Sequence, residues 1–181
     1  MKTALARYLL FVTALAAAPA LAACGISVDK DDDGRNANVD IKSPFGSVSV
    51  QADKDTPPDT GLPVRPGARV STDGGDDDHD NANVNVQSGL FGVRVQVAKF
   101  EHDDAPDAVL EYYRKELARY GGVTECRGNL DFKDSAPPRC KERSRGEMQL
   151  GAGTEADNHI VSVKPRGSGS EFTLVHVQTR S

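Results

Sequence analysis

Residues 31–51, DDDGRNANVDIKSPFGSVSVQ, and residues 76–96, DDDHDNANVNVQSGLFGVRVQ, align without a gap at an offset of 45, and 11 of the 21 columns are identical. The shared columns are 31–33, 36–39, 43, 48, 50 and 51 of the first copy. Each copy has the period of a β-hairpin. Val39 and Ile41 alternate with polar residues, Ser43-Pro44-Phe45-Gly46 turns, and Val48 and Val50 alternate back. The second copy gives Val84 and Val86, a turn over Ser88-Gly89-Leu90-Phe91-Gly92, then Val93, Val95 and Val97. One face of each hairpin is apolar and the other polar, which suits a half-buried strand. A lone hairpin is marginal in water, so the two are expected to pack together or to extend one sheet. Two units fall short of the ~3 that a solenoid needs.

The densest apolar pattern follows, over 101–181. Asp104 is placed to cap a helix whose first turn holds Pro106 and Asp107. Pro106, Val109, Leu110, Tyr113, Leu117 and Tyr120 recur at helical spacing, Glu111 and Lys115 form an i,i+4 pair, and Gly121-Gly122 supplies the stop. The spacing predicts a helix over 105–120, a strand over 123–126, another at Met148-Gln149-Leu150, and a hairpin of 159–164 with 172–179. Arg127–Arg145, with Pro137-Pro138, reads as a charged loop. The expected fold class is α+β: an antiparallel sheet with one main helix packed across a face, spanning 81–181 and opened by a hairpin over 83–100. Residues 24–80 read as an acidic tether carrying the hairpin 36–52. Its runs at 29–33 and 76–80, and the linker Asp53–Gly61, bury too little apolar surface to offset ordering entropy.

Composition agrees with one domain and tails. The chain has 181 residues, 38% hydrophobic but only 6% aromatic, with 17 Gly, 10 Pro and no Trp. Its net charge of -5 argues against nucleic acid as a partner, since that needs a basic face to displace counterions.

The first 23 residues read as an export signal. Lys2 and Arg7 form a positive start, and Tyr8–Ala18 is an apolar run too short for the ~20 residues a membrane span needs. Ala20-Leu21-Ala22 would satisfy ordinary cleavage and release a soluble protein. Leu21-Ala22-Ala23-Cys24 resembles the lipobox of bacterial lipoproteins, and this is the ending adopted: residues 1–23 are removed and Cys24 is acylated. By that resemblance Gly25, which is not the Asp that retains lipoproteins on the inner membrane, points to the outer membrane facing the periplasm. The chain has 3 Cys, and lipid on Cys24 leaves Cys126 and Cys140 as a pair in an oxidising compartment. A bridge there closes a 15-residue loop and is worth ~3 kcal/mol by loop entropy. Two free thiols are the alternative. Zinc is disfavoured, because neither Cys has a CxxC neighbour.

Leu62-Pro63-Val64-Arg65-Pro66-Gly67-Ala68, then a strand, then Asp104-Ala105-Pro106 and Val109-Leu110-x-Tyr112-Tyr113-x-x-x-Leu117 carry a resemblance. Over 36–181 the chain resembles uncharacterised exported lipoproteins of acidobacterial type, with their P-x-x-PGA entry, Y-x-x-x-L helix and final hairpin. Less closely, VDIKSPFGSVSV is similar to units of bacterial adhesin-type β-domains. The resemblance implies a fold and an address, and no catalytic residue.

Candidate chemistry is sparse. Asp29, Asp31, Asp33, Gly34 and Asp40 fit the spacing of a calcium loop, with Asp40 in place of the closing Glu. No helices flank it, and a solvated acidic segment explains the same residues. His79 in its acidic run could join weak Zn or Ni binding, and His102 reads as a surface residue. His159 and His176, on the two arms of the last hairpin, are placed to face each other. No Ser, Cys or Lys stands beside them as a nucleophile, and Gly167-Ser168-Gly169-Ser170 lacks the nucleophile-elbow order. Phe91, Phe100, Tyr112 and Tyr120 could line a small pocket, with core packing as the default. The expectation is therefore a non-catalytic envelope lipoprotein, held to the membrane by its lipid and acting as a periplasmic binding or interaction module for another envelope protein. A calcium-responsive structural protein using the Asp29–Asp40 loop is the alternative, and an enzyme the remote one.

Overall fold

The computed structural model describes residues 25–30, 36–53, 55–71, 81–134, 136–141 and 147–181. Among them the strands are β1 (Gly25–Lys30), β2 (Asn36–Ser43), β3 (Gly46–Asp53), β4 (Arg69–Val70), β5 (Ala82–Ser88), β6 (Gly92–His102), β7 (Thr124–Cys126), β8 (Leu130–Lys133), β9 (Ala136–Cys140), β10 (Met148–Gly153), β11 (Asp157–Arg166) and β12 (Gly169–Arg180). Helix α1 is Pro106–Leu117, continued by a 3-10 turn at Ala118–Tyr120. Ten strands form one antiparallel sheet in the order β1-β2-β3-β5-β6-β12-β11-β10-β7, with β4 paired to the far half of β6, and β8-β9 is a separate ribbon.

This corrects the expected α+β class. Strands occupy 60% of the described residues, and α1 has 12 residues and packs on β10, β11 and β12 instead of crossing the sheet. Two misread segments account for the difference. The supposed tether supplies β1, β2 and β3, the end of the main sheet, because a strand with one face in water needs an apolar residue only at every second position. Its acidic runs and the linker Asp53–Gly61 gave the segment around the hairpin 36–52 the composition of a tether. The supposed loop 127–145 likewise contains β8 and β9, where Pro137 and Pro138 sit on a two-stranded ribbon with free edges.

The two repeats do extend one sheet. Val48 pairs with Val86 and Val50 with Val84, so copy one joins copy two directly. Following the register across the sheet gives straight rows of side chains. Val28, Val39, Val50, Val84, Val95 and Val177 form one row. Ile26, Ile41, Val48, Val86, Val93 and Thr179 form the next, and Ala37, Ala52, Ala82, Val97, Val175 and Ile160 a third. The opposite face carries Asp29, Asn38, Gln51, Asn83, Gln96, His176 and His159 in one row.

That second face becomes apolar toward its far end, and the core sits there. Ala98, Phe100, Leu150, Ala152, Val161, Val163, Phe172 and Leu174 meet Val109, Leu110, Tyr113 and Leu117 of α1, with Leu62 beside them. Phe100 stacks on Phe172 at 5.5 Å, and Tyr113 tilts against Phe172 at 5.4 Å. The helix stripe is as the spacing predicts, and Glu111 pairs with Lys115 at 2.9 Å. Asp104 does not cap it. The residue before the helix is Ala105, with no side-chain cap, while Asp104 pairs with Arg65. Arg65 also donates to the Ala108 carbonyl, lies 5.2 Å from the Tyr112 ring and gives its backbone N–H to the Tyr113 hydroxyl. The Pro63–Ala68 stretch is thus a strap over α1. On the other side of the sheet the β8-β9 ribbon packs against β10, where a Cβ added at Gly151 would lie 2.6 Å from Leu130. Cys126 and Cys140 are disulfide-bonded, with Cα atoms 5.3 Å apart, tying the ribbon to β7.

Candidate functional site

The three aliphatic rows make the largest surface feature. Between β1 and β12 this face is covered by no described element: α1 lies on the other side, and the β8-β9 ribbon reaches only Gly151 beyond Ile160. Most of its residues are half-buried, Ala52 is buried, and toward the free edge Ile41, Val28 and Ile26 are 38%, 64% and 71% exposed. No charged residue interrupts the first two rows. At the far end the face closes in an ion-pair network, where half-buried Lys99 and Lys164 flank Glu171 at 3.5 and 2.7 Å and Arg166 meets Glu101. Six strands at ~4.8 Å spacing and three rows at ~6.8 Å give a face of about 600 Å². That is the top of the range an ordinary monomer exposes.

The second feature is a ring stack on the opposite face. His159 and His176 are directly paired on β11 and β12 and stack at 4.1 Å with planes 14° apart. Tyr120 stacks on His159 at 3.8 Å and donates its hydroxyl proton to the Gly61 carbonyl at 2.6 Å. His176 Nε2 lies 2.8 Å from Asp157 Oδ1. His159 is buried, and among the described residues neither of its ring nitrogens has a partner at full hydrogen-bond geometry, the Thr60 backbone being only close by. Burial, then the neighbouring His176, pulls its pKa down to about 4, partly offset by Asp157 and the Thr60 backbone.

The donor atoms of Asp157, His159 and His176 lie within 4.8 Å of one another, the grouping among the described residues with metal-ligand character. An ion held by both imidazoles has to lie in both ring planes, and stacked planes only 14° apart do not meet near the group. Joint coordination would require one ring to turn out of the stack. As it stands, the group is a packing unit that ties the 57–62 loop and the end of α1 to the sheet.

A third feature is an amide-lined cleft of about 420 Å³ at the end of the sheet that holds Asp53. Asn36, Asn38, Asn81 and Asn83, the repeat's identical columns, line it with Gln51. The repeat thereby brings its own matching residues together.

The residues singled out from sequence distribute as follows. Cys24, Asp31, Asp33 and His79 lie outside the described residues. Asp29 stands on β1 opposite Asn38, and Asp40 on β2 opposite Ser27, both within a strand ladder. His102 is a bridging residue: Nδ1 accepts the Asp104 N–H at 2.9 Å and Nε2 contacts the Pro66 carbonyl at 3.0 Å. Phe91, Phe100, Tyr112 and Tyr120 do not converge on a pocket; Phe100 is core, Phe91 is exposed, and the two tyrosines pack on Tyr113 and His159. Sequence reasoning foresaw the His159–His176 pairing but missed Tyr120 and Asp157, and it missed that the valine face would stay open. The available signal was arithmetic: two amphipathic hairpins with a single short helix to cover them. No family model, curated protein or solved structure matches this chain.

Proposed function

We propose that this chain is a non-catalytic envelope lipoprotein, acylated at Cys24 after removal of residues 1–23, seated on the outer membrane facing the periplasm, and acting as an interaction module. The open aliphatic face carries the reading. A protein partner with an apolar surface of its own is the occupant it suits. The ~600 Å² available approaches the ~800 Å² per partner of a standard interface, and β-branched side chains locked in a sheet lose little rotamer entropy on binding. Support for a non-enzymatic role is local: Tyr120, whose ring stacks on the buried His159, has its hydroxyl committed to Gly61. The test is photocrosslinking from position 84 in intact envelopes. An adduct with another envelope protein, lost in Val50→Asp, is expected. Adducts only between copies of this chain, or none, overturn the reading.

A further inference from the structure

We propose that the tips of the β2-β3 and β5-β6 hairpins press into the bilayer surface beside the lipid anchor, so that the strands stand upright on the membrane; this rests on the reading of Cys24 as the acylated residue. The register places the parts. Gly25 pairs with Lys42, so the chain enters β1 at the end of the sheet where β2 turns into β3. Gly46 pairs with Ser88, which sets the Gly89-Leu90-Phe91 tip beside the Pro44-Phe45 tip. Soluble hairpins place Gly, Asn or Asp at such tips. Here Phe45 is 86%, Leu90 89% and Phe91 52% exposed.

The tips are held in shape by their own hydrogen bonds. Ser43 Oγ donates to the Gly46 carbonyl at 3.0 Å and accepts the Phe45 N–H at 3.3 Å. In the matching column Ser88 Oγ accepts the N–H groups of Leu90 and Phe91 at 3.2 and 3.1 Å. A Cβ at Gly46 would fall 2.1 Å from the Gln87 carbonyl, so the two tips abut without a gap. The apolar side chains are therefore presented outward together by ordered turns.

Charge orients the same way. Lys42 and Arg180 stand on the outermost row of this end, with Arg94, Asp40 and Asp157 one row further in. Asp29, Asp53, Asp55 and Asp59 lie toward the opposite end, where β1 and β3 finish, with Lys30 among them. The second end is thus the more acidic of the two, and an anionic bilayer repels it more than the first. Apolar side chains at the interface add to the affinity of an acyl chain, which is marginal when single.

The chain has no Trp, so single reporters are clean. Full-length lipidated Phe45→Trp, Leu90→Trp and, as a control from the other half, Val64→Trp proteins are reconstituted in vesicles of phosphatidylethanolamine and phosphatidylglycerol containing brominated acyl chains. Quenching at 45 and 90 but not at 64 is expected. Emission from 45 and 90 unaffected by bromine, in protein shown to be vesicle-bound, overturns the proposal. The Cys24→Ser chain separates this from the anchor. Its binding to the same vesicles should be weak and should fall by about tenfold or more in a Phe45→Ser, Leu90→Ser, Phe91→Ser triple variant, whose changes are all at exposed positions. Loss of acylation in the wild type alone would sink the anchor reading; equal vesicle binding by the Cys24→Ser chain with and without its tip residues would sink this one.

Discussion

The two ends of the sheet are made of the same kind of strand and differ in what lies over them. Across β10, β11 and β12 the polar-side face is covered by α1, and at β10 the reverse face is covered by the disulfide-tied ribbon. Across β1, β2, β3 and β5 neither face has a described layer over it. Strand pairing therefore does different work at the two ends. In the covered end, side-chain packing supplies most of the stability. In the open end the ladder holds strands together while leaving an aliphatic surface in contact with water, and a lone sheet layer persists only because it is continuous with the packed end.

The largest effect that tests this contrast is cavity formation in the covered end. Phe172 is buried against Phe100, Tyr113 and α1, and Phe172→Ala is expected to cost about 3–5 kcal/mol by urea unfolding. A cost below about 1 kcal/mol would mean that the helix layer is not the source of stability. Next comes the bridge. Replacing Cys126 and Cys140 by Ala should cost about 3 kcal/mol, and hydrogen exchange should show the loss concentrated in the β8-β9 ribbon and β7.

The ring stack gives a pH-dependent term of the next size. Unfolded His159 takes up a proton near pH 6.5, whereas the folded one resists to about 4. Between those values the unfolded chain binds more protons, so stability falls as pH drops from about 6.5 toward 4 and does not fall further on this account below that. The contribution is on the order of 2 kcal/mol once residual solvent screening is allowed for. His159→Phe keeps a ring against Tyr120 and His176 and should flatten the unfolding free energy over this window. An unchanged slope would show that His159 is not the source of this pH dependence.

How much of this was legible in the sequence follows the same division. The covered end could be read well: α1's stripe, the final hairpin and the Cys126–Cys140 pair each carry a local signal, whether helical period, alternation or thiol count. The open end was legible as two hairpins able to extend one sheet, but not as part of the domain, and β1 was not legible at all. The acidic residues around the hairpin 36–52 give 24–80 the composition of a tether, and nothing local states that Val50 meets Val84 instead of another partner. The ribbon was hidden by Pro137 and Pro138, which are tolerated there because each strand has a free edge. For the site, residues adjacent through a hairpin, His159 and His176, were within reach. Tyr120, which meets His159 only through the 3-10 turn closing α1, was not, since tertiary contacts across 39 residues leave no periodic trace.

The smallest expected effect is the one that sharpens the comparison most. Val50 lies at the centre of the open face, between Val39 and Val84. A core valine truncated to alanine leaves a cavity that its surroundings cannot fill, whereas at Val50 water already reaches the side chain. Val50→Ala should therefore cost less than about 1 kcal/mol in the isolated protein, mainly the loss of cross-strand contact. Val161, buried on β11 beneath α1, should cost visibly more when changed in the same way. In envelopes the ranking should reverse for association: Val50→Ala weakens crosslinking to the partner and Val161→Ala leaves it intact as long as the fold holds. Equal destabilisation by the two would show that the valine face is filled in the isolated chain, and the open end would then be core like the other.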